Sequence, residues 1–586
     1  MLRVPVAALV NLVLLLWAVL RAPSHLLRRR RGPTYVRFVL KGDPPYRQPF
    51  QRRWPFRRDR HGPGQVATLH ILDEALNVLA ADPRMKGIVL QVDALDMPAG
   101  KRAWIAERLA AFRARGKEVV GTAVSAGNGE YALLCAADRI ALPRAGRLEL
   151  SGFLVEATAA GRAFEQLGIR PEFVRRGEHK TAPELFIRAE VSPNQRAALE
   201  QFLEERHAEL VDAVARGRRL SVEEARDRVD QGPYSATRAR ALGLVDLIAD
   251  DVELPAALGL DADENRALAG AAGIGTLRDY QRALRSPTVS WMAWRRPTRL
   301  AVIPVSGMIA QAPSGAPPIG PTIAGSDTLV AGLRAAAQDR WSPAAVLYVN
   351  SPGGSALASE LVLAEVRRLA ARKPVVAYVD RVAASGGYMV AIGAKEIWVS
   401  PGSILGSIGV FAGKFDLSEL LSRVGVHREV LTRGDHAGLM TSARPLSTPE
   451  RDALEAEVEE VYGRFVELVS EHRNLASEAV RSRGEGRVYT ADRAREAGLV
   501  DTLGSFEGAC ARAFALAGRS PERFELHAFG LPRRRLPLLS LLRNAVAPAI
   551  YALWWPSWTG PGLRGTEDFG ADGDERGTHR FRWFRR

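Results

Sequence analysis

The stretch Tyr234-Ser235-Ala236-Thr237-Arg238-Ala239, closed by Gly243-Leu244-Val245-Asp246, returns 255 positions later. There it reads Tyr489-Thr490-Ala491-Asp492-Arg493-Ala494, closed by Gly498-Leu499-Val500-Asp501. Upstream the two halves keep a slightly different step: Ile140, Gly168 and Gly177 fall on Ile397, Gly425 and Gly434, each 257 positions on. Two residues lost or gained between the blocks account for the change. The chain is a tandem duplication of one unit.

Outward from these signatures, each copy carries a long amphipathic helix. Leu199, Phe202, Leu203, Leu210, Val211 and Val214 share one helical face in the first, and Leu454, Val458, Val461, Phe465 and Val469 in the second. Before them come short, almost continuous apolar runs: residues 35–40 and 87–92 in the first copy, 300–305 and 346–349 in the second. Such runs, alternating with helical stretches such as 329–337, predict strands buried on both faces of a largely parallel sheet. The expected fold class is α/β. The expected organisation is a first repeat over 64–254, a connector over 255–298, a second repeat over 299–527 and a basic, Trp-rich tail over 528–586.

At 586 residues the chain fits two or three domains. Its formal charge of +15 is a local property. Residues 1–63 hold fourteen Lys and Arg against Asp43 and Asp59, a net of +12, which leaves only +3 for the rest. No helix-turn-helix, zinc or base-stacking pattern accompanies the basic segment, so no nucleic-acid partner is expected. Two cysteines, Cys135 and Cys510, exclude a disulfide framework and a multi-cysteine metal site, and both sit in apolar helical runs that suit small buried side chains. The ten histidines form no HExxH or similar ligand cluster, so neither metal nor cofactor is expected.

Residues 4–20 are apolar enough for a short bilayer span, and no small-x-small cleavage site closes them before Arg21. An uncleaved anchor over 1–21 is expected, followed by a Pro/Arg-rich arm over 22–63. Arg21 and Arg28 to Arg31 follow the span, and by the positive-inside rule they favour a cytoplasmic body.

The chemistry lies in residues that the two halves do not share. Ser385 stands in Ala384-Ser385-Gly386-Gly387-Tyr388, a tight turn entering a helix, where unpaired N–H groups can serve an oxyanion. A helix-capping serine is the competing reading. A second Gly-Gly loop, Asn350-Ser351-Pro352-Gly353-Gly354-Ser355, follows a predicted strand; the first copy has Asp93-Ala94-Leu95-Asp96-Met97 instead, and no Gly-Lys-Ser/Thr supports a phosphate loop. A base for Ser385 is available in Lys180 if burial keeps its amine neutral. In register, Lys180 falls on Ala437 and Ser385 on Asn128, so each half keeps one candidate group and lacks the other. One site assembled from both repeats is the expected result. A crotonase-like acyl-CoA enzyme and a non-catalytic membrane scaffold are the alternatives.

These residues resemble the long, duplicated form of the signal peptide peptidase A family. The resemblance covers about residues 35–525 and is carried by 177–193 (GEHKTAPELFIRAEVSP), 350–355 (NSPGGS), 384–388 (ASGGY) and 406–409 (GSIG). It implies a Clp-protease- and crotonase-like unit and a membrane-anchored serine endopeptidase that degrades signal peptides and similar apolar segments. By the same resemblance, Ser385 is the nucleophile, Lys180 the general base, Ser407 a hydrogen-bond partner of the lysine, and Gly354 and Gly386 the oxyanion donors. It further implies a homotetramer at the bacterial inner membrane with an extracytoplasmic body, against the flanking charges.

Overall fold

A computed structural model describes residues 33–47, 64–260, 273–284, 298–317, 320–521 and 524–531. The anchor expected over 1–21, most of the basic arm, much of the connector and nearly all of the Trp-rich tail lie outside the described residues. Among the described residues no helix is long and apolar enough to cross a membrane.

The apolar runs form two parallel sheets of the same strand order. The first runs Ile274–Thr276, Tyr35–Gly42, Gly87–Leu95, Glu118–Thr122, Arg139–Leu142, Leu247–Ile248. The second runs Phe524–Ala528, Thr298–Ser306, Ala345–Ser351, Val375–Ala384, Glu396–Val399, Thr502–Leu503. Side paths repeat as well. Ser125–Gly127 pairs Arg147–Glu149, which pairs antiparallel with Tyr234–Ser235. The end of Val375–Ala384 pairs Ile404–Gly406, which pairs antiparallel with Val488–Thr490. The first sheet also takes in strands outside residues 64–254: Tyr35–Gly42 from the expected arm and Ile274–Thr276 from the expected connector.

Alternation along a strand sends side chains to opposite faces. Leu300 and Val302 enter a core continuous with the first repeat, together with Phe38, Leu90, Tyr46 and Phe506. Ala301, Ile303 and Val305 enter a separate core within the second repeat. Cys135 and Cys510 are free and buried among these side chains.

The closing signature is kept because it ties helix to sheet. Tyr131 Oη donates to Leu244 O at 2.7 Å, and Tyr388 Oη to Leu499 O at 2.7 Å. Asp246 accepts Ile140 N and both ends of Arg218, and Asp501 accepts Ile397 N and both ends of Arg473. The two long helices, Pro193–Arg218 and Thr448–Arg473, differ in how far they are covered. The second buries Leu454, Val458, Phe465 and Val469, with Tyr462 rather than Val461 inside. The first buries Leu210, Val211 and Val214 but leaves Leu199, Phe202 and Leu203 half-buried.

The repeats also exchange strands. Arg170–Arg176 of the first pairs antiparallel with Val410–Asp416 of the second, from Arg170 against Asp416 to Arg176 against Val410. The chain leaves this ladder at Gly177 and reaches Lys180 three residues later.

Candidate active site

Ser385 joins the strand Val375–Ala384 to the helix Gly386–Ala391. Its backbone sits at φ 53° and ψ −123°, a region costly for a residue with a Cβ. Ser385 N donates to Gly406 O at 2.8 Å, and Ser385 O accepts Met389 N at 3.0 Å. The side chain makes no capping hydrogen bond. The hydroxyl instead lies 3.1 Å from Lys180 Nζ.

Gly386 opens that helix, where the first N–H groups lack intrahelical acceptors. A Cβ there would overlap Ser359 Oγ and stand 3.5 Å from Gly354 N, so the two glycine amides are neighbours beside Ser385. The Gly353-Gly354 loop is pinned by Ile309, whose N–H donates to Gly353 O at 2.8 Å and whose carbonyl accepts Ser355 N at 2.9 Å. Ser355 then caps the helix Ala356–Ala370 through Ala358 N.

Lys180 is only 4% exposed. Its Nζ reaches Ser385 Oγ at 3.1 Å, Ser407 Oγ at 2.9 Å and Ser407 O at 3.1 Å. Burial lowers its amine to about 7, since removal from water penalises the ammonium form and no neighbouring charge offsets the loss. The amine is thereby brought into the range where its unprotonated form, able to take a proton from the hydroxyl, is accessible near neutral pH. Arg175 holds the segment from behind, donating to Lys180 O at 3.1 Å and to Glu184 Oε1 at 2.7 Å. Ser407 is itself at φ 52°, with its N–H on Arg487 O at 2.6 Å.

All five residues singled out from the sequence, Ser385, Lys180, Ser407, Gly354 and Gly386, thus meet at one place. The equivalent positions do not repeat it. The Asn128 amide binds Gly152 O and accepts Ser151 N, a structural role, and Ala437 lies in an exposed turn. Among the described residues no group of three or more His, Cys, Asp or Glu side chains could hold a metal ion.

Two features escaped the sequence reading. One is the turn Gly484-Glu485-Gly486-Arg487, whose backbone packs directly on Lys180; a Cβ on Gly486 would overlap Lys180 N. Its signal was a Gly-Glu-Gly step just ahead of the repeated signature, where the first copy has Val229-Asp230-Gln231. The other is a buried ionic cluster between the repeats. Lys101 Nζ lies 2.6 Å from Asp43 and 3.8 Å from Asp380, and Arg381 reaches Asp43 at 3.0 Å and Asp96 at 3.4 Å. Asp380, its carboxyl raised by burial, accepts Tyr348 Oη at 2.6 Å. Asp380 and Arg381 belong to the strand that ends at Ser385, so the cluster fastens that strand to the first repeat.

The family model described as "Peptidase family S49" matches residues 111–258 and 367–519, one stretch in each repeat. "Serine protease SPPA, chloroplastic" of Arabidopsis thaliana is 30% identical over 447 residues, covering 75% of this chain and 64% of that protein. "Protease 4" of Haemophilus influenzae is 30% identical over 476 residues, 78% of this chain and 74% of that protein. "Protease 4" of Salmonella typhi is 31% identical over 470 residues, 77% and 72%. The chain therefore spans just under two thirds of the plant relative's length and nearly three quarters of the two bacterial ones.

Proposed function

This chain belongs to peptidase family S49, and on that premise we propose that it is a Ser/Lys-dyad endopeptidase acting on signal peptides and similar apolar, membrane-derived segments. Ser385 is the nucleophile and Lys180 its base. The neutral amine takes the hydroxyl proton as Oγ attacks the scissile carbonyl, and the N–H groups of Gly354 and Gly386 receive the developing oxyanion. The Lys180 ammonium then gives that proton to the leaving amine. Water enters, loses a proton to Lys180 and releases the acyl group, which restores Ser385. Ser407 keeps the amine aimed. The segment over 4–20 anchors the body at a membrane, where such substrates are found.

The observation carrying this reading is the 3.1 Å approach of Lys180 Nζ to Ser385 Oγ, from two repeats that each lack the other's group. The pH profile tests it. With a quenched-fluorescence apolar peptide, kcat/KM is expected to rise tenfold per pH unit below about 7 and to level off above it. A profile flat from mildly acidic to mildly alkaline pH would remove Lys180 as the base. An acyl-CoA enzyme would instead bind a CoA thioester and be indifferent to both residues.

The same reading includes a ring of four chains, supported by surfaces that repeat a junction without a partner. The counterparts of the strand exchange, 153–159 and 427–433, carry no strand. They leave Leu154 66% and Leu431 83% exposed. Within the chain, Gly100 of the helix Ala99–Ala114 sits against Ser400 and Pro401, whereas Leu357 and Leu361 on the equivalent helix face are exposed. Arg381 is tied into the ionic cluster, whereas its counterpart Val124 is 71% exposed. A second copy supplies the missing partner for each, and a head-to-tail contact of this kind makes a ring where its rotation closes. Leu431→Asp is expected to sediment as smaller species with unchanged circular dichroism; full-sized assembly of that variant would remove this interface.

A further inference from the structure

Glu485 belongs to no step described above, yet it accepts two bonds from the backbone of the Lys180 segment. Its carboxylate Oε2 accepts Glu178 N at 3.1 Å, and its carbonyl accepts His179 N at 2.7 Å. Its other carboxylate oxygen accepts Tyr462 Oη at 3.3 Å, from the long helix Thr448–Arg473. The turn it occupies also holds the far side of the site, since Gly486 N donates to Ile408 O at 2.8 Å and Arg487 O accepts Ser407 N at 2.6 Å.

The backbone cost of this placement points the same way. Glu485 is held at φ 47°, left-handed space that favours glycine, although glycines flank it on both sides. A glycine would fit the conformation better but would leave Glu178 N without its acceptor. In the first repeat the aligned Asp230 instead contacts His207 of its own repeat at 3.2 Å.

We propose that Glu485 is a positioning residue for the dyad, a carboxylate clamp that docks the Lys180 segment of the first repeat onto the Ser407 loop of the second. The inference rests on Lys180 being the base. Without the clamp, the 177–180 turn loses its side-chain acceptor, the amine drifts from Ser385 Oγ and water gains access to it. The charged and titratable groups around Glu485 are Glu178, His179, Tyr462, Arg481 and Arg487. None of them contributes to the lowering of Lys180, which comes from burial. The pH midpoint of activity therefore reads hydration of the amine.

The test is the pH profile of kcat/KM, measured on the assembled protein, for Glu485→Ala, Glu485→Gln and Tyr462→Phe. Glu485→Ala is expected to lose between about ten- and a hundredfold in kcat, with KM little changed, because a small misplacement of a reacting group has that effect. Its midpoint is expected to move up by about one pH unit as the amine is hydrated. Glu485→Gln keeps an acceptor for Glu178 N and is expected to stay near the parent. Parental kcat and midpoint in Glu485→Ala would overturn the proposal, as would a Gln variant as impaired as the Ala variant. If Glu485→Ala does not assemble, Tyr462→Phe carries the test: its midpoint is expected to rise in the same direction, and an unmoved midpoint overturns the clamp. Turnover that survives Lys180→Ala would defeat the dyad itself, a separate outcome from any result at Glu485.

Discussion

Ser385→Ala is expected to abolish peptide cleavage, with kcat down by at least about four orders of magnitude, and Lys180→Ala to do the same. The two losses come from one event. Without the hydroxyl there is no acyl-enzyme, and without the amine the hydroxyl keeps its proton at the moment of attack. Residues that act as a unit are not additive, so the double variant is expected to be no worse than either single one. Both variants are expected to assemble as the parent does. Ser385 contributes one hydroxyl to the packing, and the segment carrying Lys180 is tied down by the strand exchange and by Arg175. Turnover by purified, assembled protein is the measurement. Activity within about a hundredfold of the parent in either variant would defeat the dyad.

The second large effect is on stability and runs against function. An unfolded chain protonates Lys180 near 10.5, whereas the folded chain does so only near 7. Between those values the unfolded state holds more protons, so the folded state gains stability as pH rises through the window, by about 1.4 kcal/mol per unit. Below about 7 both states carry the proton and the penalty is at its full size, about 4–5 kcal/mol as an upper bound. Lys180→Met removes the buried charge at similar volume. It also leaves the hydroxyls of Ser385 and Ser407 and one carbonyl without their donor, at about 1 kcal/mol each. The inactive Met variant is therefore expected to resist denaturant better than the parent at pH 6 and to lose that advantage by pH 10. A difference in urea midpoint that stays constant across this range would show that the amine is not carried unprotonated in the fold.

The duplication and the parallel sheets were legible because both are written in local pattern. Apolar runs with a common order return at a fixed step, and the Tyr…Asp signature returns because its hydrogen bonds do. Lys180 and Ser385 were legible by contrast, as the positions where two otherwise matching copies differ. Periodicity said less about cover. Leu199, Phe202 and Leu203 lie on the apolar face of their helix yet remain half-buried, since a stripe states which side is apolar and not what meets it. The cluster of Lys101, Asp43, Asp380 and Arg381 left no trace in the sequence. Its members come from one strand, a helix and a loop far apart in the chain, and each alone looks like an ordinary solvated charge. Glu485 was hidden for the same reason, its partners Glu178 and His179 lying in the other repeat.

The division of the dyad between repeats also sets a clock. Lys180 and Ser385, the proposed base and nucleophile, are 205 residues apart in the chain. At about 5–20 residues per second, a ribosome adds Ser385 about 10–40 s after Lys180. The Gly486 turn that packs on the lysine comes roughly 100 residues later still. On the proposed dyad, a half-made chain therefore carries no working site, and neither does a fragment that ends before the second repeat. On that reading competence arrives only once the second repeat has been made through the Gly486 turn, so synthesis itself serves the purpose that a removable propeptide serves in other proteases.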